Sequence, residues 1–304
     1  MPRLTTGKDF LAAGVLTGLL CVATSDLGVA QVKETTPDFS SNLAGWVAIE
    51  PDFLPVAGAP GPITFDPAHP YVSNAAARRA GIQPTFRVAD LTNSNVKPWA
   101  KEIMKRENEK VLAGGIGYTP RSSCVPAGVP AFMMYPVAEP IYFLQTPKQV
   151  TMIFAGNAEV RRVYLDAPHS ASPKPSWYGE SVGRYEGDTL VIDTIGLNNK
   201  SYVDNYRTPH TEKLHVVERW KLIDDMTLEV IFTVDDPDTF NAPWTAAYRF
   251  RRIQRPITYE EVCAENNVPL FDYHTPVADR PDFLAATARR GCEAVSALSD
   301  GARS

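Results

Sequence analysis

The chain has 304 residues, of which 44% are hydrophobic and 21% are charged, a composition typical of a folded globular protein. Its formal net charge is -5 and it contains no basic tract, which argues against nucleic-acid binding. This length is enough for one substantial hydrophobic core or for two small ones.

The first thirty residues resemble a secretory signal peptide. Two basic residues, Arg3 and Lys8, precede an apolar run over residues 10–24, and small residues at 28–30 follow it. A membrane anchor is the alternative, but the run is shorter than the roughly twenty residues that span a bilayer. We therefore predict residues 1–30 as a signal peptide, a periplasmic or secreted location, and no stable membrane insertion after cleavage.

Export permits disulfide bonds, and three cysteines follow the predicted cleavage site: Cys124, Cys263 and Cys292. Three cysteines allow at most one bridge within the chain. A bridge between Cys124 and Cys263 is preferred because it would join the segments that flank the β region, and a bridge between Cys263 and Cys292 stays open. None of the three lies in a recognisable nucleophile motif.

Residues 31–135 are predicted to form an extended segment followed by a helix. The part from 31 to 84 is rich in Pro, Gly, Ala and Ser, which is typical of a segment that wraps around a core, and a short helix is compatible with 74–80. The clearest helix covers 97–113, because Pro98 suits its first turn and two glycines follow its end.

From residue 136 to 256 the pattern changes to strands separated by short polar turns. Eight candidate strands follow one another: IYFLQ, QVTMIFA, EVRRVYL, WYGESVGRYE, TLVIDTIG, LHVVERWKL, TLEVIFTV and TAAYRFRRI. Hairpin-type joins at 156–157, 187–188 and 224–225 favour an antiparallel meander. The predicted fold is therefore mainly β, an antiparallel eight-stranded up-and-down barrel of the calycin type, with a two-sheet sandwich as the alternative. Residues 257–304 are predicted as a helical tail packed on the barrel.

Reactive side chains are concentrated in residues 201–220, SYVDNYRTPHTEKLHVVERW. Along the predicted strand 214–222, alternation puts Glu218 on the apolar face with Trp220, and His215 on the opposite face. A carboxylate on an apolar face is costly unless it is paired or protonated. Glu218 is therefore predicted either as a general acid or base, or as half of a structural ion pair with one of three arginines: Arg161, Arg162 or Arg184.

The loop before this strand supplies the other candidates. His210 is predicted to be catalytic because a loop at a barrel mouth suits such a group, and Asp204 or Tyr206 could orient its ring. His215 is a further catalytic candidate, although its face also fits a solvent-exposed histidine. Arg207 is predicted to hold an anionic group such as a phenolate or carboxylate. The predicted substrate-binding pocket is lined by four aromatic residues: Trp220, Phe232, Trp244 and Tyr248.

Motifs for metals and cofactors are absent from the sequence. No HExxH, CxxC or glycine-rich nucleotide fingerprint occurs, so we predict neither a metal nor a cofactor. The letters GESVG at 179–183 match the spacing G-x-S-x-G. They lie within a β run and not at a strand-to-helix turn, which argues against Ser181 as a nucleophile.

Several separated motifs resemble a large family of exported bacterial proteins: GRYEGDTLVIDT, PHTEKLHVVERW, DDPDTFNAPWTA and EEVCAENN. The resemblance covers roughly residues 120–268. It implies an association with the catabolism of lignin-derived aromatic compounds, including cofactor-free loss of formaldehyde from phenylcoumaran-type dimers.

Two functional hypotheses follow from these residues. The first is an exported, cofactor-independent lyase that acts on a small apolar or aromatic molecule. In it, His210 and Glu218 exchange protons and Arg207 stabilises negative charge. The alternative is a non-enzymatic periplasmic binding or carrier protein, because an aromatic pocket serves that role equally well.

Overall fold

In the computed structural model, nine β-strands close into a barrel, and a short tenth strand lies beside it. The structure describes residues 36–40, 44–134, 140–155 and 159–254. The strands are β1 (Ala44–Ala48), β2 (Leu54–Pro55), β3 (Ile141–Gln145), β4 (Gln149–Phe154), β5 (Glu159–Leu165), β6 (Glu180–Glu186), β7 (Thr189–Ile195), β8 (His215–Asp224), β9 (Thr227–Asp235) and β10 (Trp244–Gln254). The helices are α1 (Asn74–Ala80) and α2 (Pro98–Leu112), with 3-10 turns at Pro120–Ser123 and Ala131–Met134.

The strands follow the order β1, β3, β4, β5, β6, β7, β8, β9, β10, and β10 pairs back with β1. That closing contact is antiparallel and runs from Ala44 opposite Gln254 to Ala48 opposite Phe250. The short strand β2 adds to β10. Closure leaves few unpaired backbone groups at sheet edges, which is how barrels avoid exposed edges.

The prediction of a mainly β fold with a closed barrel is confirmed, and its strand number is wrong. All eight predicted strands are present, and so are the helices predicted at 74–80 and 97–113, the second as Pro98–Leu112. The additional barrel strand is β1, which comes from the segment predicted to be extended. Its sequence, AGWVA, is short and contains little of the alternation on which the other strands were recognised.

The prediction of an all-antiparallel barrel is wrong at one pair of strands. β5 and β6 run parallel, with Val163 opposite Ser181 and Leu165 opposite Gly183. Parallel neighbours need a long connection, since the chain must return to the starting end. Residues 166–179, which we call the crossover segment, supply it. The described pairing of β5 with β6 covers only residues 163–165 of β5, so residues 159–162 lie beside the crossover segment instead.

Aromatic rings fill the barrel interior. Trp220 on β8 stacks on Phe250 of β10 with ring centroids 5.5 Å apart. Phe53, just before β2, packs edge-on against Phe232 of β9 at 4.7 Å and against Tyr248 of β10 at 5.3 Å. The segment between β1 and β2 thus contributes the Phe53 ring to the core, and the contacts of this ring hold the segment against the barrel.

The residues outside the barrel strands are held in place by packing, hydrogen bonds and a disulfide bond. α2 buries Met104 and Val111, and its Asn108 side chain bonds both backbone groups of Ala89 at 2.9 Å. Cys124 is disulfide-bonded. The predicted signal peptide, the C-terminal helical tail, Cys263 and Cys292 lie outside the described residues. Among the helices that are described, none is long and apolar enough to cross a membrane.

Candidate functional site

His210 lies in the loop between β7 and β8, as predicted, but it is buried, with 3% of its surface exposed. Its Nδ1 is 3.0 Å from the carbonyl oxygen of Thr211, and its Nε2 is 3.0 Å from the Oγ of Ser201. A carbonyl oxygen only accepts, so Nδ1 carries the hydrogen and Nε2 accepts from the Ser201 hydroxyl. Burial lowers the pKa of His210. Its ring is therefore oriented by Ser201 and the Thr211 carbonyl, and not by Asp204 or Tyr206.

Asp204 organises the same loop. Its Oδ1 accepts from the backbone amides of Tyr206 at 2.9 Å and Thr208 at 3.2 Å, and its Oδ2 accepts from the Thr208 hydroxyl at 2.7 Å. This is the Asx-turn arrangement by which aspartate closes a tight loop on itself. Burial raises the pKa of Asp204 to about 6. Asp204 thus holds the loop that carries His210.

Arg207 lies below the surface, with its guanidinium among protein groups. Its Nη2 donates to the carbonyl oxygen of Arg87 at 2.7 Å, and its Nε lies 3.8 Å from Oε2 of Glu107 on α2. The adjoining cavity, between Tyr118 and Tyr202, has a volume of about 10 Å³, which is room for one water molecule. The predicted role of Arg207 in holding an aromatic anion stays a prediction, and this cavity is too small for that ligand.

Glu218 faces the barrel interior, as its alternation predicted, and is fully buried. It forms a two-point ion pair with Arg161 of β5: Nη1 donates to Oε1 at 3.0 Å and Nη2 to Oε2 at 2.5 Å. Arg161 also donates to Thr194 Oγ1 at 2.8 Å and to Ser181 Oγ at 3.2 Å. Of the three arginines considered for a structural ion pair, Arg161 is the partner.

The four aromatic residues predicted to line a pocket are closed to solvent. Trp220, Phe232, Trp244 and Tyr248 are each at most 2% exposed. Phe232 packs edge-on against Trp244 with ring centroids 5.9 Å apart, and the others contact neighbouring rings in the same way. These side chains therefore fill the interior of the closed barrel and do not line an open pocket. The ring of Phe53 packs against two of them, Phe232 and Tyr248.

His215 lies on the outer wall of the barrel, and 38% of its side chain is exposed. Its Nε2 is 3.0 Å from Oδ1 of Asp193 on β7. The same oxygen is 2.9 Å from Nε2 of His169 in the crossover segment. The other ring nitrogen of His169 lies 3.0 Å from Oε1 of Glu180. His215 is thus separate from His210 and belongs to an outer cluster of two histidines and two carboxylates.

A groove of about 670 Å³ opens on the outer wall where β5 faces the crossover segment. Three aromatic side chains line it: Tyr164, Trp177 and Tyr178. Two cations also line it, Arg162 and Lys174, and the side chain of neither forms a hydrogen bond or ion pair within the described residues. The groove exists because the parallel pairing of β6 begins only at Val163, which leaves the first half of β5 facing the crossover segment.

The two carboxylates in the groove are already engaged by the protein. Glu159 accepts a hydrogen bond from the Tyr178 hydroxyl. Glu180 accepts from the Ser170 amide at 2.6 Å and from the Ser170 hydroxyl at 2.7 Å. These bonds from Ser170, with a smaller effect of His169, lower the pKa of Glu180. Of the four charged residues that line the groove, the two cations are therefore those whose side chains have no partner among the described residues.

The GESVG letters have a structural explanation. Gly179 has a φ of +60°, and a Cβ on it would lie 2.3 Å from the carbonyl oxygen of Ile195. A Cβ on Gly183 would lie 2.8 Å from a methyl carbon of Val163. Ser181 lies on β6 and bonds Arg161 and Thr194. The two glycines allow β6 to pack closely against its neighbours, and the serine is not at a strand-to-helix turn.

Sequence reasoning missed Arg162, Tyr164, Lys174, Trp177 and Tyr178. One local signal was available, since alternation in EVRRVYL places Arg162 and Tyr164 on the outward face, and Tyr164 is 46% exposed. The rest depends on the crossover segment, which the predicted antiparallel meander did not contain. Within the described ranges, no three His, Cys, Asp or Glu side chains are arranged to hold a metal ion.

We expect His210 to make stability depend on pH. The unfolded histidine titrates near pH 6.5, and burial lowers its pKa in the folded state. The unfolded chain therefore binds more protons below that pH, and the free energy of unfolding falls as pH falls, by at most about 1.4 kcal/mol per pH unit. His210→Gln should flatten this slope in urea unfolding between about pH 5 and 7.

Asp204 acts in the opposite direction, because its raised pKa favours the folded state at low pH and this contribution is lost as pH rises toward about 6. The wild type and His210→Gln share the effect of Asp204, so the difference between their pH slopes isolates the contribution of His210. Identical slopes would show that His210 does not titrate on unfolding in this range.

No protein-family profile and no curated protein matches the chain. Among solved structures, the chain is similar to the crystal structure of a mutant of the fluorescent protein UnaG, with 16% identity over 44% of this chain and 86% of that chain, and a TM-score of 0.24. A TM-score this low supports no conclusion about function.

Proposed function

We propose that the protein binds small aromatic molecules that carry an anionic group, and that the ligand lies in the groove between β5 and the crossover segment. The observation that carries the proposal is the meeting of three aromatic side chains with two cations that have no partner in the described structure. The groove's volume of about 670 Å³ is within the usual range for small-molecule sites.

The aromatic and the cationic side chains of the groove each indicate one feature of the expected ligand. The faces and edges of Tyr164, Trp177 and Tyr178 offer apolar surface to a ring. Arg162 and Lys174 favour a carboxylate or phenolate, and the arginine can hold a carboxylate at two points. The carboxylates of Glu159 and Glu180 keep their negative charge but accept hydrogen bonds from the protein, whereas the donors of Arg162 and Lys174 have no partner among the described residues.

The proposed setting is the periplasm or the exterior of the cell. It rests on the signal-peptide pattern of residues 1–30 and on the three cysteines beyond it. The resemblance to exported bacterial proteins supports lignin-derived aromatics as the source of the ligand. Phenolic acids of that origin combine a ring with a carboxylate, which are the two features that the groove offers.

Calorimetric titration with 4-methoxybenzoate and with neutral 4-methoxybenzyl alcohol tests this proposal. We expect saturable binding of the acid and weaker binding of the alcohol. The double variant Arg162→Ala/Lys174→Ala should bind the acid at least about tenfold more weakly, because a hydrogen bond to a charged group contributes roughly 1.5–3 kcal/mol.

The matched control is Arg251→Ala/Lys105→Ala, which removes one arginine and one lysine that are exposed and do not line the groove. Its affinity should equal that of the wild type. Binding of the acid that the groove variant leaves unchanged, or no saturable binding at all, would overturn the proposal.

A lyase is the second candidate, and one observation favours it. Ser181 lines the groove and bonds Arg161, which holds Glu218, so a carboxylate lies behind the groove wall. Incubation of the purified protein with a phenylcoumaran-type dimer, followed by mass spectrometry, separates the candidates. Release of formaldehyde supports the lyase, and binding without product supports the carrier.

A further inference from the structure

We infer that His169 is a positioning residue of the groove: its charged form holds the crossover segment in the ligand-binding position, so that ligand binding weakens as pH rises. The inference rests on the proposed function for the identity of the ligand. The geometry that supports it is independent of any ligand.

Both ring nitrogens of His169 contact carboxylate oxygens. Nδ1 is 3.0 Å from Oε1 of Glu180, and Nε2 is 2.9 Å from Oδ1 of Asp193. An ionised carboxylate only accepts hydrogen bonds, and a neutral imidazole has only one N–H. Two such contacts are satisfied together only when both ring nitrogens carry hydrogen, which is the charged imidazolium form.

The groups around His169 come from three strands. β6 contributes Glu180 and β7 contributes Asp193, while β8 contributes His215, whose Nε2 is 3.0 Å from the same Oδ1 of Asp193. No lysine or arginine within the described residues pairs with either carboxylate. The imidazolium of His169 is thus the group that links the two carboxylates.

Glu180 connects this cluster to the groove. It lines the groove and is bonded to Ser170, the residue that follows His169 and also lines the groove. The hydrogen bonds from Ser170 lower the pKa of Glu180 and keep it ionised as an acceptor. The contacts of His169 and Ser170 therefore fasten the first part of the crossover segment to β6 and β7.

The far end of the crossover segment is fastened separately. The Ser176 amide donates to the carbonyl oxygen of Gly196 at 3.0 Å, and the Ser176 carbonyl accepts from the Asn198 amide at 2.8 Å. Lys174 lies between His169 and the backbone attachment at Ser176, and Trp177 follows Ser176. Loss of a contact at His169 would leave the bonds of Ser170 as the first attachment and loosen the portion that carries Lys174, while the attachment at Ser176 stays closed.

The direction of the pH effect follows from the loss of one donor. Raising the pH removes a proton from His169, and the freed nitrogen lone pair then faces a carboxylate oxygen. One of the two contacts is lost, the crossover segment loosens, and the groove loses a fixed wall. We therefore expect the dissociation constant to rise with pH, as the second ring nitrogen of His169 loses its hydrogen.

The test combines calorimetry with NMR. Titrations with 4-methoxybenzoate, whose charge is constant over the range used, give the dissociation constant at each pH. Spectra of protein labelled with ¹⁵N in its histidines give the protonation of His169. We expect a several-fold increase in the dissociation constant that follows the titration of His169, and a flat profile in His169→Gln.

Two control variants separate positioning from a general effect of histidine charge. His69→Gln removes a histidine that also pairs with a carboxylate, Asp66 at 2.8 Å, outside the groove. His215→Gln leaves both contacts of His169 in place. Both variants should keep the pH profile of the wild type. A wild-type profile that is flat, or that persists in His169→Gln, would overturn the inference.

A measurement without ligand distinguishes failure of this inference from failure of the proposed function. The amide signal of Ser170, which donates to Glu180 at 2.6 Å, should shift with the same midpoint as His169. If 4-methoxybenzoate does not bind at any pH but this shift occurs, the proposed function fails and the positioning role stands. If the Ser170 signal does not follow His169, the positioning role is wrong.

Discussion

We expect Arg161→Ala to lower the free energy of unfolding by about 3–5 kcal/mol, the usual cost of leaving a buried charge without its partner. Glu218 is fully buried, and the substitution would leave its carboxylate inside the barrel with no cation beside it. The substitution also removes the donor that serves Ser181 and Thr194. It further removes a cation 4.9 Å from the ring centroid of Phe132. Urea unfolding followed by circular dichroism measures the change.

The neighbouring residue supplies the control. Arg162 points outward from the same strand and has no partner in the described structure, so Arg162→Ala should change stability by no more than about 0.5 kcal/mol. A double variant, Arg161→Met/Glu218→Leu, removes both charges and should recover most of the loss. If Arg161→Ala and Arg162→Ala unfold at the same urea concentration, the ion pair does not stabilise the fold.

The ion pair with Arg161 explains how a charged residue, Glu218, is accommodated on the apolar face of β8. Strand alternation predicted that Glu218 would face the interior and that a paired partner would be one way to keep it there. The structure supplies that partner through two hydrogen bonds. The described contacts of His210 are with Ser201 and Thr211, and those of Glu218 are with Arg161, so no shared hydrogen bond joins the two residues first proposed to exchange protons.

Local patterns predicted most of the secondary structure because each strand carries its own alternation. β4, for example, alternates half-buried and buried residues along QVTMIF, and the prediction followed that alternation. β1 was missed because Ala44 and Gly45 have low β propensity and its pairing partner, β10, begins about two hundred residues later. A pairing between segments so far apart in the chain cannot be recognised from the five residues of β1 alone.

The candidate site was harder to predict than the fold, because it depends on one parallel pair of strands. The residues WY at 177–178 were assigned to the strand that follows, although they end the crossover segment. The eleven residues before them, 166–176, were already left as a connection between two predicted strands, and three prolines lie in it: Pro168, Pro173 and Pro175. A connection of that length is longer than a hairpin turn, and it was the available sign that β5 and β6 run parallel with a crossover between them.

Two tryptophans distinguish the groove from the barrel interior as the place where a ligand binds. Trp220 is fully buried between the rings of Phe250 and Phe143, so Trp220→Ala should lower the free energy of unfolding by about 3–5 kcal/mol. Trp177 is half-buried in the groove wall, and Trp177→Ala should cost much less. Urea unfolding of the two variants measures this contrast.

Ligand affinity should show the reverse order. Trp177→Ala removes a ring that faces the groove and should weaken binding of 4-methoxybenzoate by roughly tenfold, since an aromatic contact with its buried area contributes on the order of 1–2 kcal/mol. Trp220→Phe keeps an aromatic core, avoids the risk that the alanine variant does not fold, and should leave affinity unchanged. If Trp220→Phe loses the ligand while Trp177→Ala retains it, the ligand enters the barrel among Trp220, Phe232, Trp244 and Tyr248. The rings that pack together in this structure would then have to separate to admit it, and the groove would not be the binding site.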